Sequence, residues 1–307
     1  HIVDLLCDEG IKVVVFDNLS SGYQENLNKK AEFVKGDILN NKDLDLLFCL
    51  HKFDGLIHMA ALKAANESKS KSQYYTEHNI IGSLNVISAA IKHNVNKIVF
   101  SSTAAVYGNP ISNLVDESHP TEPINHYGFT KLYVENYLSW IQKISNLKYV
   151  ALRYFNAAGY SEKKNLIKIK EKKPQNLLPI VMEVASGERE ILEIYGNDYN
   201  TTDGTCVRDY INVLDLANAH IKALKYLEFN GSCSINLSTG IGHSVLDVVK
   251  VAKTITKRNI PYKFSDRRSG DPAILISSFS QAKEKLKWEP KNSNIEKIIE
   301  TMWRYYK

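Results

Sequence analysis

The first half of the chain alternates short apolar runs with longer segments of helical character. Strand-like apolar runs cover residues 12–16, 33–37, 56–60, 97–100 and 149–154. Residues 1–9 predict a helix that ends at Gly10, and a long helical stretch follows the third run and ends at about His93. Short, fully apolar strands separated by helices are typical of a parallel sheet that is covered on both faces. The pattern therefore predicts an α/β protein with a doubly wound parallel sheet.

The second half of the chain, after about residue 160, lacks this regular alternation. We expect residues 1–155 to form a Rossmann-like dinucleotide-binding domain and residues 156–307 to form a smaller mixed α/β domain that binds the substrate. Part of the second half, at about 208–230, is expected to return to the first domain. Arg208 and Arg268 could hold a pyrophosphate, because guanidinium groups match phosphate oxygens. The alternative is that each is an ordinary surface ion-pair partner.

Polar residues stand directly after several of the predicted strands. Asp17 follows the first strand, Asp37 the second, a turn at residues 60–63 the third, and Thr103 the fourth. Ligands of doubly wound sheets bind at the carboxyl ends of the strands, so these residues are candidates for a ligand site. An acidic residue in the place of Asp17 suits a ribose 2′-hydroxyl, which favours NAD over NADP. The alternative is that Asp17 only forms a turn.

The segment YGFTK places Tyr127 and Lys131 four residues apart. On a helix, side chains at this spacing lie on one face and can meet. A free phenol has a pKa of about 10, and a neighbouring ammonium group lowers that pKa by favouring the phenolate. The pair is therefore a candidate proton acceptor for a sugar or alcohol hydroxyl. Tyrosine and lysine are also common on solvated helix faces, so the pair alone is a weak signal.

Composition and charge narrow the range of functions. The 307 residues are 44% hydrophobic, which is enough for a large core, and the net charge is +5. A lysine-rich stretch near residues 163–173 could bind nucleic acid, but we favour a solvated loop. Four distant cysteines without CxxC spacing indicate neither a disulfide framework nor a zinc site, which fits a cytoplasmic protein. The sequence shows no signal peptide and no apolar run of the length of a membrane span.

Nine strings, spread in order over nearly the whole chain, are together more specific than any single motif. They are VFDNLSSG (15–22), GDI (36–38), HMAALKAANES (58–68), FSSTAAVYGNP (100–110), NHYGFTK (125–131), LRYFNAAG (152–159), NLLP (176–179), IYGNDYNTTDGTCVRDYINVLDLA (194–217) and RRSGDPA (267–273). The chain resembles the extended short-chain dehydrogenase/reductases, and among them the family of UDP-glucose 4-epimerases. The resemblance implies bound NAD, the substrates UDP-glucose and UDP-galactose, a role in galactose metabolism, and a homodimer. It implies no metal and no membrane or nucleic-acid partner.

The resemblance also assigns roles to individual residues. It implies that the catalytic groups are Thr103, Tyr127 and Lys131. The residues that it places at the cofactor are Asp17, Asn18, Asp37, Ile38, Ala60, Ala61, Lys63, Asn79, Tyr127, Lys131 and Phe155. The residues that it places at the UDP-sugar are Thr103, Asn156, Asn176, Leu177, Tyr195, Arg208, Tyr210, Arg268, Asp271 and Leu275. The size of Leu275 is expected to favour UDP-glucose and UDP-galactose over N-acetylhexosamines.

One sequence feature separates this chain from related dehydratases and decarboxylases. Those enzymes resemble it but have an acidic residue just after the Ser or Thr of the site. Here Thr103 is followed by Ala104 and Ala105, so no additional carboxylate is available to remove a second proton. The implied reaction is an oxidation and reduction at one carbon: the sugar C4 loses a hydride to NAD⁺, the keto sugar turns over, and the hydride returns to the opposite face.

The chain departs from the family pattern at three places. The glycine-rich loop expected just before His1 is absent from the sequence, which we interpret as a truncation. His126 occupies the position where proline is usual, and we expect a loop side chain there. The segment 161–173 is lysine-rich, which we expect to change a surface loop rather than the chemistry.

Two other functions stay open at this point. A nucleotide-sugar 4-reductase, or an epimerase that acts at another position, would have a similar site. A reductase would consume or release NADH. A catalytically silent nucleotide-sugar binder is the second alternative, because the glycine loop is missing, although the retained Thr103, Tyr127 and Lys131 speak against it.

Overall fold

The protein is described by a computed structural model that covers residues 1–112, 114–162, 174–268 and 270–307. The lysine-rich segment 163–173, for which a surface loop was predicted, lies outside these residues. The helices are α1 (Ile2–Asp8), α2 (Asn41–Leu50), α3 (Ala65–Ser70), α4 (Ser72–Tyr75), α5 (Gly82–Lys92), α6 (His126–Ile141), α7 (Leu177–Ser186), α8 (Val213–Phe229), α9 (Val245–Thr256), α10 (Ser280–Leu286) and α11 (Ile295–Trp303). The strands are β1 (Val14–Asp17), β2 (Glu32–Lys35), β3 (Leu56–His58), β4 (Lys97–Thr103), β5 (Lys148–Tyr154), β6 (Asn156–Ala158), β7 (Leu192–Tyr195), β8 (Val207–Asn212), β9 (Cys233–Leu237), β10 (Gly242–Ser244), β11 (Tyr262–Ser265) and β12 (Ile274–Leu275).

The first half forms parallel sheet, as the apolar runs predicted. Strands β3, β4, β5 and β9 pair in that order, all in parallel, and β1 pairs with β2 in parallel. In the central register, Phe100 stands opposite Ala151 and Thr103 opposite Tyr154. The polar residues that end β4 and β5 therefore lie at the same edge of the sheet.

Both faces of this sheet are covered by helices, which confirms the doubly wound α/β fold. One face packs against α2, α5 and α6 through a cluster that includes Leu44, Val86 and Leu138, with β1 and β2 at its margin. The other face packs against α8 and α10 through a cluster that includes Leu216 and Trp288. Each such side chain stabilises the fold by about 1.5–3 kcal/mol when it is fully buried. Because both faces of β4 and β5 pack against apolar clusters, these strands do not alternate between apolar and polar residues.

The second half contributes to two different parts of the molecule. Helices α7, α9 and α11 and strand β7 share their own apolar core, and the short strands β6, β8, β10 and β12 pair with one another. In contrast, α8 packs against β4 and β5, and β9 pairs with β5. The chain thus leaves the parallel sheet after β5 and comes back to it from about residue 213.

Two predicted elements differ from the structure in their extent. The long helical stretch that was predicted to end near His93 is divided into α3, α4, a π-helical turn at Thr76–Ile81, and α5. The fourth strand is longer than its apolar run, because β4 continues through Ser101, Ser102 and Thr103. The last three residues of β4 are polar. Their hydrophobicity therefore could not indicate that β4 keeps pairing with β5 as far as Tyr154.

The four cysteines are free thiols. Among the described residues, no helix has the length and apolar character that crossing a membrane requires.

Candidate active site

The end of β4 meets the first turn of α6 at a close contact between backbones. Asn125 caps the helix, and its side-chain oxygen accepts a hydrogen bond from the Gly128 N–H at 2.8 Å. A Cβ atom at Gly128 would collide with the carbonyl oxygen of Ala105, so only glycine permits this approach. The contact brings Thr103, Tyr127 and Lys131 to the lining of one cavity.

Tyr127 is held through its backbone and faces a second hydroxyl. Its N–H donates to Ser68 Oγ at 3.0 Å. Burial raises the pKa of the Tyr127 phenol, and the hydrogen bond with the Thr103 side chain acts in the opposite direction. Thr103 Oγ1 also accepts a hydrogen bond from the Ala105 N–H at 3.2 Å. The phenol and the threonine hydroxyl therefore form a pair in which a proton can be shared.

Lys131 is buried and bonded to the strand. Its ammonium group donates to the Ser101 carbonyl oxygen at 2.8 Å, and its nitrogen lies 4.9 Å from the centre of the Phe100 ring. Burial lowers the pKa of Lys131 to about 7, although the Glu135 carboxylate opposes this shift. At neutral pH a lysine with this pKa carries only part of a positive charge.

This geometry corrects the prediction that Lys131 lowers the pKa of Tyr127. In the structure burial raises the pKa of the phenol, and Thr103 is the group that lowers it. The physical reason is that the lysine is desolvated together with the phenol, so much of its positive charge is lost at neutral pH. The prediction treated Lys131 as a fully charged, solvated ammonium group.

His126 is the first residue of α6, so the prediction of a loop side chain is wrong. Its Nε2 atom lies 2.9 Å from the Thr76 hydroxyl oxygen in the π-helical turn. Its ring also stacks on Phe129, with a centroid separation of 5.6 Å. His126 therefore fastens the start of the catalytic helix to a neighbouring helical segment.

The predicted cofactor residues after β1 and β2 form one polar group. Asn18 Nδ2 donates to Asp37 Oδ2 at 2.9 Å, and this bond is the main reason that the pKa of Asp37 is lowered. The Asp17 carboxylate accepts from the Leu19 N–H at 2.6 Å, and Leu19 adopts a left-handed φ of 60°. Asp17 itself is exposed at the strand end, where its carboxylate can accept hydrogen bonds from a ribose.

Asn79 lies beneath the turn after β3 rather than in a cavity. Its side chain bonds both backbone groups of Leu62, at 2.8 Å and 3.0 Å, and donates to Thr130 Oγ1 at 3.1 Å. Asn79 is 1% exposed, so its side-chain amide forms hydrogen bonds within the protein rather than with a ligand. Asn79 thus fixes the position of the turn that contains Ala60, Ala61 and Lys63. Ile38, the next predicted cofactor residue, packs against Gly82 of α5.

Two adjoining cavities, of about 410 Å³ and 700 Å³, lie where the two parts of the molecule meet. The smaller one contains the Tyr127 and Thr103 side chains, and the larger one extends toward β7. The residues common to both cavities are Lys63, Ala65, Asn156, Ala157, Asn176, Arg208 and Asp271. A ligand of elongated shape could therefore reach from one cavity into the other.

The predicted substrate residues line these cavities. Arg268 stacks on the Tyr195 ring, with the guanidinium carbon 3.7 Å from the ring centre. Arg208 lies 3.9 Å from Asp271 across the cleft and donates to the Val207 carbonyl oxygen at 2.9 Å. The remaining predicted substrate residues along the two cavities are Asn156, Asn176, Leu177, Tyr210 and Leu275. Phe155, predicted at the cofactor, lines the smaller cavity and packs in the cluster next to Leu275.

Several functional candidates were missed because nothing in the local sequence pattern distinguishes them. Ser68 supports the Tyr127 backbone, and Tyr154 at the end of β5 lies 2.7 Å from His220 through its hydroxyl. Glu135 is the exception, because it stands four residues after Lys131 and the same helical spacing could have indicated it. Its partner Arg153 is distant in sequence, so only the fold reveals their contact.

The buried histidines predict how stability depends on pH. Burial, reinforced by Lys131, lowers the pKa of His58 to about 3, and burial lowers that of His220 to about 4. The unfolded chain binds these protons near pH 6.5, so the free energy of unfolding falls as the pH drops below about 6.5. Each histidine should cost about 2 kcal/mol between pH 6.5 and pH 5.

Urea unfolding of the wild type and of His58→Gln at these two pH values measures the effect. We expect the variant to lose about 2 kcal/mol less than the wild type over this interval. His78→Gln, at a half-buried position, serves as the matched control. Equal losses for the wild type and His58→Gln would contradict the burial of a neutral imidazole at this position.

The residues present fit a dinucleotide. The exposed Asp17 carboxylate stands at the end of β1, small residues form the turn at Ala60 and Ala61, and Asn79 holds that turn in place. Lys131, Phe155 and Tyr127 continue the lining toward the smaller cavity. The set thus combines a ribose acceptor, room for a close backbone approach, and a cavity beside the acid/base pair.

The chain is similar to known proteins over nearly its whole length. A family model described as GDP-mannose 4,6 dehydratase matches residues 1–302. The chain is 44% identical over 308 residues to the UDP-glucose 4-epimerase of Halalkalibacterium halodurans, which covers 100% of this chain and 92% of that protein.

Solved structures extend the similarity to the fold as a whole. The UDP-glucose 4-epimerase of Brucella ovis in complex with NAD superposes with a TM-score of 0.95 at 37% identity, covering 100% of this chain and 94% of that one. The enzyme of Bifidobacterium longum, in complex with NAD⁺ and UDP, has a TM-score of 0.95 at 34% identity, with coverages of 99% and 93%.

Proposed function

The chain belongs to the UDP-glucose 4-epimerases of the extended short-chain dehydrogenase/reductase family, and from this premise we propose how its residues perform that reaction. It is an NAD-dependent isomerase that interconverts UDP-glucose and UDP-galactose. The observation that supports this function most is the pairing of Tyr127 with Thr103 in a cavity where Ala104 and Ala105 replace acidic residues.

We assign the cofactor to the carboxyl ends of β1 to β5. Asp17 accepts hydrogen bonds from the adenosine ribose, and Asn18, Asp37 and Ile38 support that end of the dinucleotide. Ala60, Ala61 and Lys63 lie along its middle, on the turn that Asn79 fixes. Phe155, Tyr127 and Lys131 line the smaller cavity and would hold the nicotinamide end. When bound, NAD⁺ supplies a hydride acceptor for the sugar C4 and a positive charge close to the phenol.

Tyr127 serves as the general acid and base. The phenol would first lose its own proton to solvent, which the positive charge of bound NAD⁺ would favour; the phenolate would then take the proton of the sugar 4-hydroxyl and return it when the sugar is reduced. Thr103 orients that hydroxyl, because its side chain lines the same cavity as the phenol and lowers the pKa of the phenol. Lys131 is held by the Ser101 carbonyl at the same edge, from which its ammonium group can bond a ribose hydroxyl of the cofactor.

The UDP-sugar occupies the cleft between the two parts of the molecule. Arg208 and Arg268 bind the diphosphate, and the stack of Arg268 on Tyr195 lies where a flat base can enter. Asn156, Asn176, Leu177, Tyr210 and Asp271 line the same cleft and hold the nucleotide part. A firm hold on the UDP moiety leaves the hexose free to turn over, which the return of hydride to the opposite face requires.

A carboxylate next to Thr103 would indicate elimination chemistry, and the cavity does not have one. The described residues that line the smaller cavity include a single carboxylate, that of Asp271, which faces Arg208. Without a second base beside the sugar C5 or C6, oxidation at C4 can only be reversed. Zero net redox change is therefore the expected outcome.

A direct assay tests this function. Purified protein is incubated with UDP-glucose, the formation of UDP-galactose is followed by chromatography, and the nicotinamide absorbance is recorded during turnover. The expected result is conversion in both directions with no net accumulation or loss of NADH. Steady consumption or release of NADH would indicate a 4-reductase or another oxidoreductase, and absence of any conversion would indicate a nucleotide-sugar binder.

Leu275 is assigned as the residue that limits space beside the sugar. It stands on β12 next to Arg208 in register and lines the smaller cavity. A side chain of this size disfavours a bulky 2-substituent, so UDP-glucose and UDP-galactose should turn over faster than the N-acetylhexosamine pair. Comparison of kcat/KM for the two sugar pairs measures this preference.

The apolar surface of α6 supports a homodimer. Phe129, Tyr133 and Trp140 recur at helical spacing on α6 and are between 45% and 62% exposed, and Ile144, which follows the helix, is 71% exposed. A stripe of this kind on a helix normally packs against another apolar surface. The same stripe on a second copy of the chain is self-complementary about a two-fold axis.

A charge in this stripe should break the dimer. Trp140→Glu is expected to convert a particle of dimer mass into one of monomer mass in light scattering, because an unpaired carboxylate would be buried in the interface. Phe229→Glu, which changes an aromatic residue at the end of α8 that is 87% exposed, is the control and should keep the dimer mass. A wild-type protein of monomer mass would contradict the assignment.

A further inference from the structure

A buried polar network lies behind the reacting side chains, and the proposed chemistry does not use it. This Glu135 network consists of Ser102 on β4, Glu135 on α6 and Arg153 on β5. Arg153 donates to the Glu135 carboxylate from Nε, at 3.1 Å and 3.2 Å, and from Nη2 at 2.6 Å. The Ser102 hydroxyl donates to the same carboxylate. The three residues are between 1% and 7% exposed, so the network is part of the interior.

The network joins the helix and the strand that bear the catalytic groups. Tyr127, Lys131 and Glu135 are spaced by four residues and lie along one face of α6. On the opposite side, three consecutive residues of β4 face them: the Ser101 carbonyl accepts from Lys131, the Ser102 hydroxyl donates to Glu135, and the Thr103 side chain lowers the pKa of Tyr127. Displacement of α6 along β4 would break all three contacts together.

We propose that Glu135 is a positioning residue for the epimerase reaction, which holds α6 in register with β4 through Ser102 and Arg153 and keeps a negative charge beside the Lys131 ammonium group. The inference rests on the proposed function, since it concerns the groups that perform that reaction. Glu135 itself does not line the cavities, so it acts through Lys131 and Tyr127 rather than on the sugar.

The charge has a specific effect because Lys131 is desolvated. Burial lowers the pKa of Lys131 to about 7, and Glu135 is the group that raises it. Removal of the carboxylate should therefore lower this pKa further and leave the lysine neutral at the working pH. A single nearby charge typically shifts such a pKa by about 1 to 3 units.

The titratable groups around this cluster whose pKa values are shifted are displaced away from neutral pH. The pKa of His58 on β3 is about 3, and that of Tyr107, which Arg153 contacts, is raised to about 12. Burial raises the pKa of Tyr154 on β5 and of Tyr75 on α4, and Lys71 and Tyr75 lower the pKa of Glu67 on α3. The pKa of Arg153 is also raised, mainly by its bonds to Glu135. A titration between about pH 6 and pH 9 consequently reports Lys131.

Glu135→Gln tests the charge while it preserves the size of the side chain. In the holoenzyme, we expect kcat at pH 7 to fall about tenfold or more, the KM for UDP-glucose to change less than about twofold, and the alkaline limb of the kcat profile to move to lower pH by about 1 to 3 units. The second readout does not depend on activity. In protein labelled with ¹³C-lysine, the Lys131 Cε resonance, identified by its loss in Lys131→Met, should titrate at a pH lower by the same amount than in the wild type.

Two further variants keep the test decisive if Glu135→Gln folds poorly. Glu135→Gln with Arg153→Met removes both buried charges, so that no unpaired guanidinium remains, and should show the same shift of the Lys131 titration. Ser102→Ala keeps the carboxylate but loses its bond to β4, and should lower kcat several-fold without moving the alkaline limb. Glu117→Gln is the matched control: Glu117 accepts from the Asn236 backbone at 2.8 Å and does not shift the pKa of Lys131, so its loss should leave the titration unchanged.

The outcomes separate this inference from the proposed function. A Lys131 titration that is the same in the wild type, in Glu135→Gln and in the double variant would overturn the role of the charge. An unchanged kcat in Ser102→Ala would overturn the proposal that Glu135 holds α6 in register with β4. If the wild type does not convert UDP-glucose at all, the proposed function fails, whereas the lysine titration still decides whether Glu135 controls the charge of Lys131.

Discussion

Replacing Tyr127 by phenylalanine should lower kcat for UDP-glucose by a factor of about 10²–10⁴, the range that one general acid/base group contributes. The phenylalanine ring fills the same space but has no oxygen to accept the proton of the sugar 4-hydroxyl. The hydrogen bond with Thr103 is lost as well, and Tyr127 Oη is the only atom removed. Steady-state kinetics of the purified variant, with UDP-glucose over a range of concentrations, measure the change.

Binding of the substrate should survive this substitution. Arg208, Arg268 and Tyr195 line the larger cavity, where we propose that the nucleotide part binds, so the affinity for UDP measured by calorimetry should stay within about twofold of the wild type. Thr103→Ser keeps a hydroxyl beside the phenol and is the matched conservative variant, for which we expect most of the activity to remain. Full activity of Tyr127→Phe would remove the phenol from the mechanism.

Replacing Arg153 by methionine should reduce the free energy of unfolding by about 3–5 kcal/mol, because it leaves the Glu135 carboxylate buried without its partner. The ion pair is 2.6 Å long, and its side chains are only 8% and 5% exposed. Tyr107 also loses a hydrogen bond from Arg153 of 2.9 Å. Urea denaturation at pH 7 and 25 °C gives the free energies to compare.

The double variant with Glu135→Gln distinguishes an unpaired charge from lost packing. With both charges removed, most of the lost stability should return, since a buried ion pair is worth little more than neutral residues of similar volume. A double variant as unstable as Arg153→Met would show that shape, not charge, dominates at this position. An Arg153→Met variant with the same free energy of unfolding as the wild type would contradict the burial of the Arg153–Glu135 pair.

The sheet could be predicted from the sequence because its strands are marked by hydrophobicity alone. Apart from Arg153, residues 149–154 are apolar or aromatic, and they form β5 almost to the residue. The end of β4 was less visible, since Ser101, Ser102 and Thr103 are polar and their pairing with β5 depends on the neighbouring strand. Periodicity likewise could not show the π-helical turn at Thr76–Ile81, where one long helix was predicted.

Residue types and spacing predicted the parts of the site that depend on residues close together in the sequence. The spacing of Tyr127 and Lys131 places both at one cavity, and the resemblance indicated the arginines along the cleft. The pKa of Tyr127 was predicted in the wrong direction, because the degree of burial is a property of the whole fold and no motif encodes it. The contact of Arg153 with Glu135 was not predicted for a related reason: the two residues are 18 positions apart and lie on two different elements.

The isotope at the sugar C4 tests the central claim most directly. UDP-glucose with deuterium at C4 is converted in ordinary water, and the UDP-galactose formed is analysed by NMR spectroscopy and mass spectrometry. Transient oxidation at this carbon predicts that the deuterium stays on C4 of the product with its configuration inverted, while Tyr127 moves only the hydroxyl proton. Loss of the deuterium to water during conversion would contradict the account, because it would mean that a base removes the C4 hydrogen as a proton.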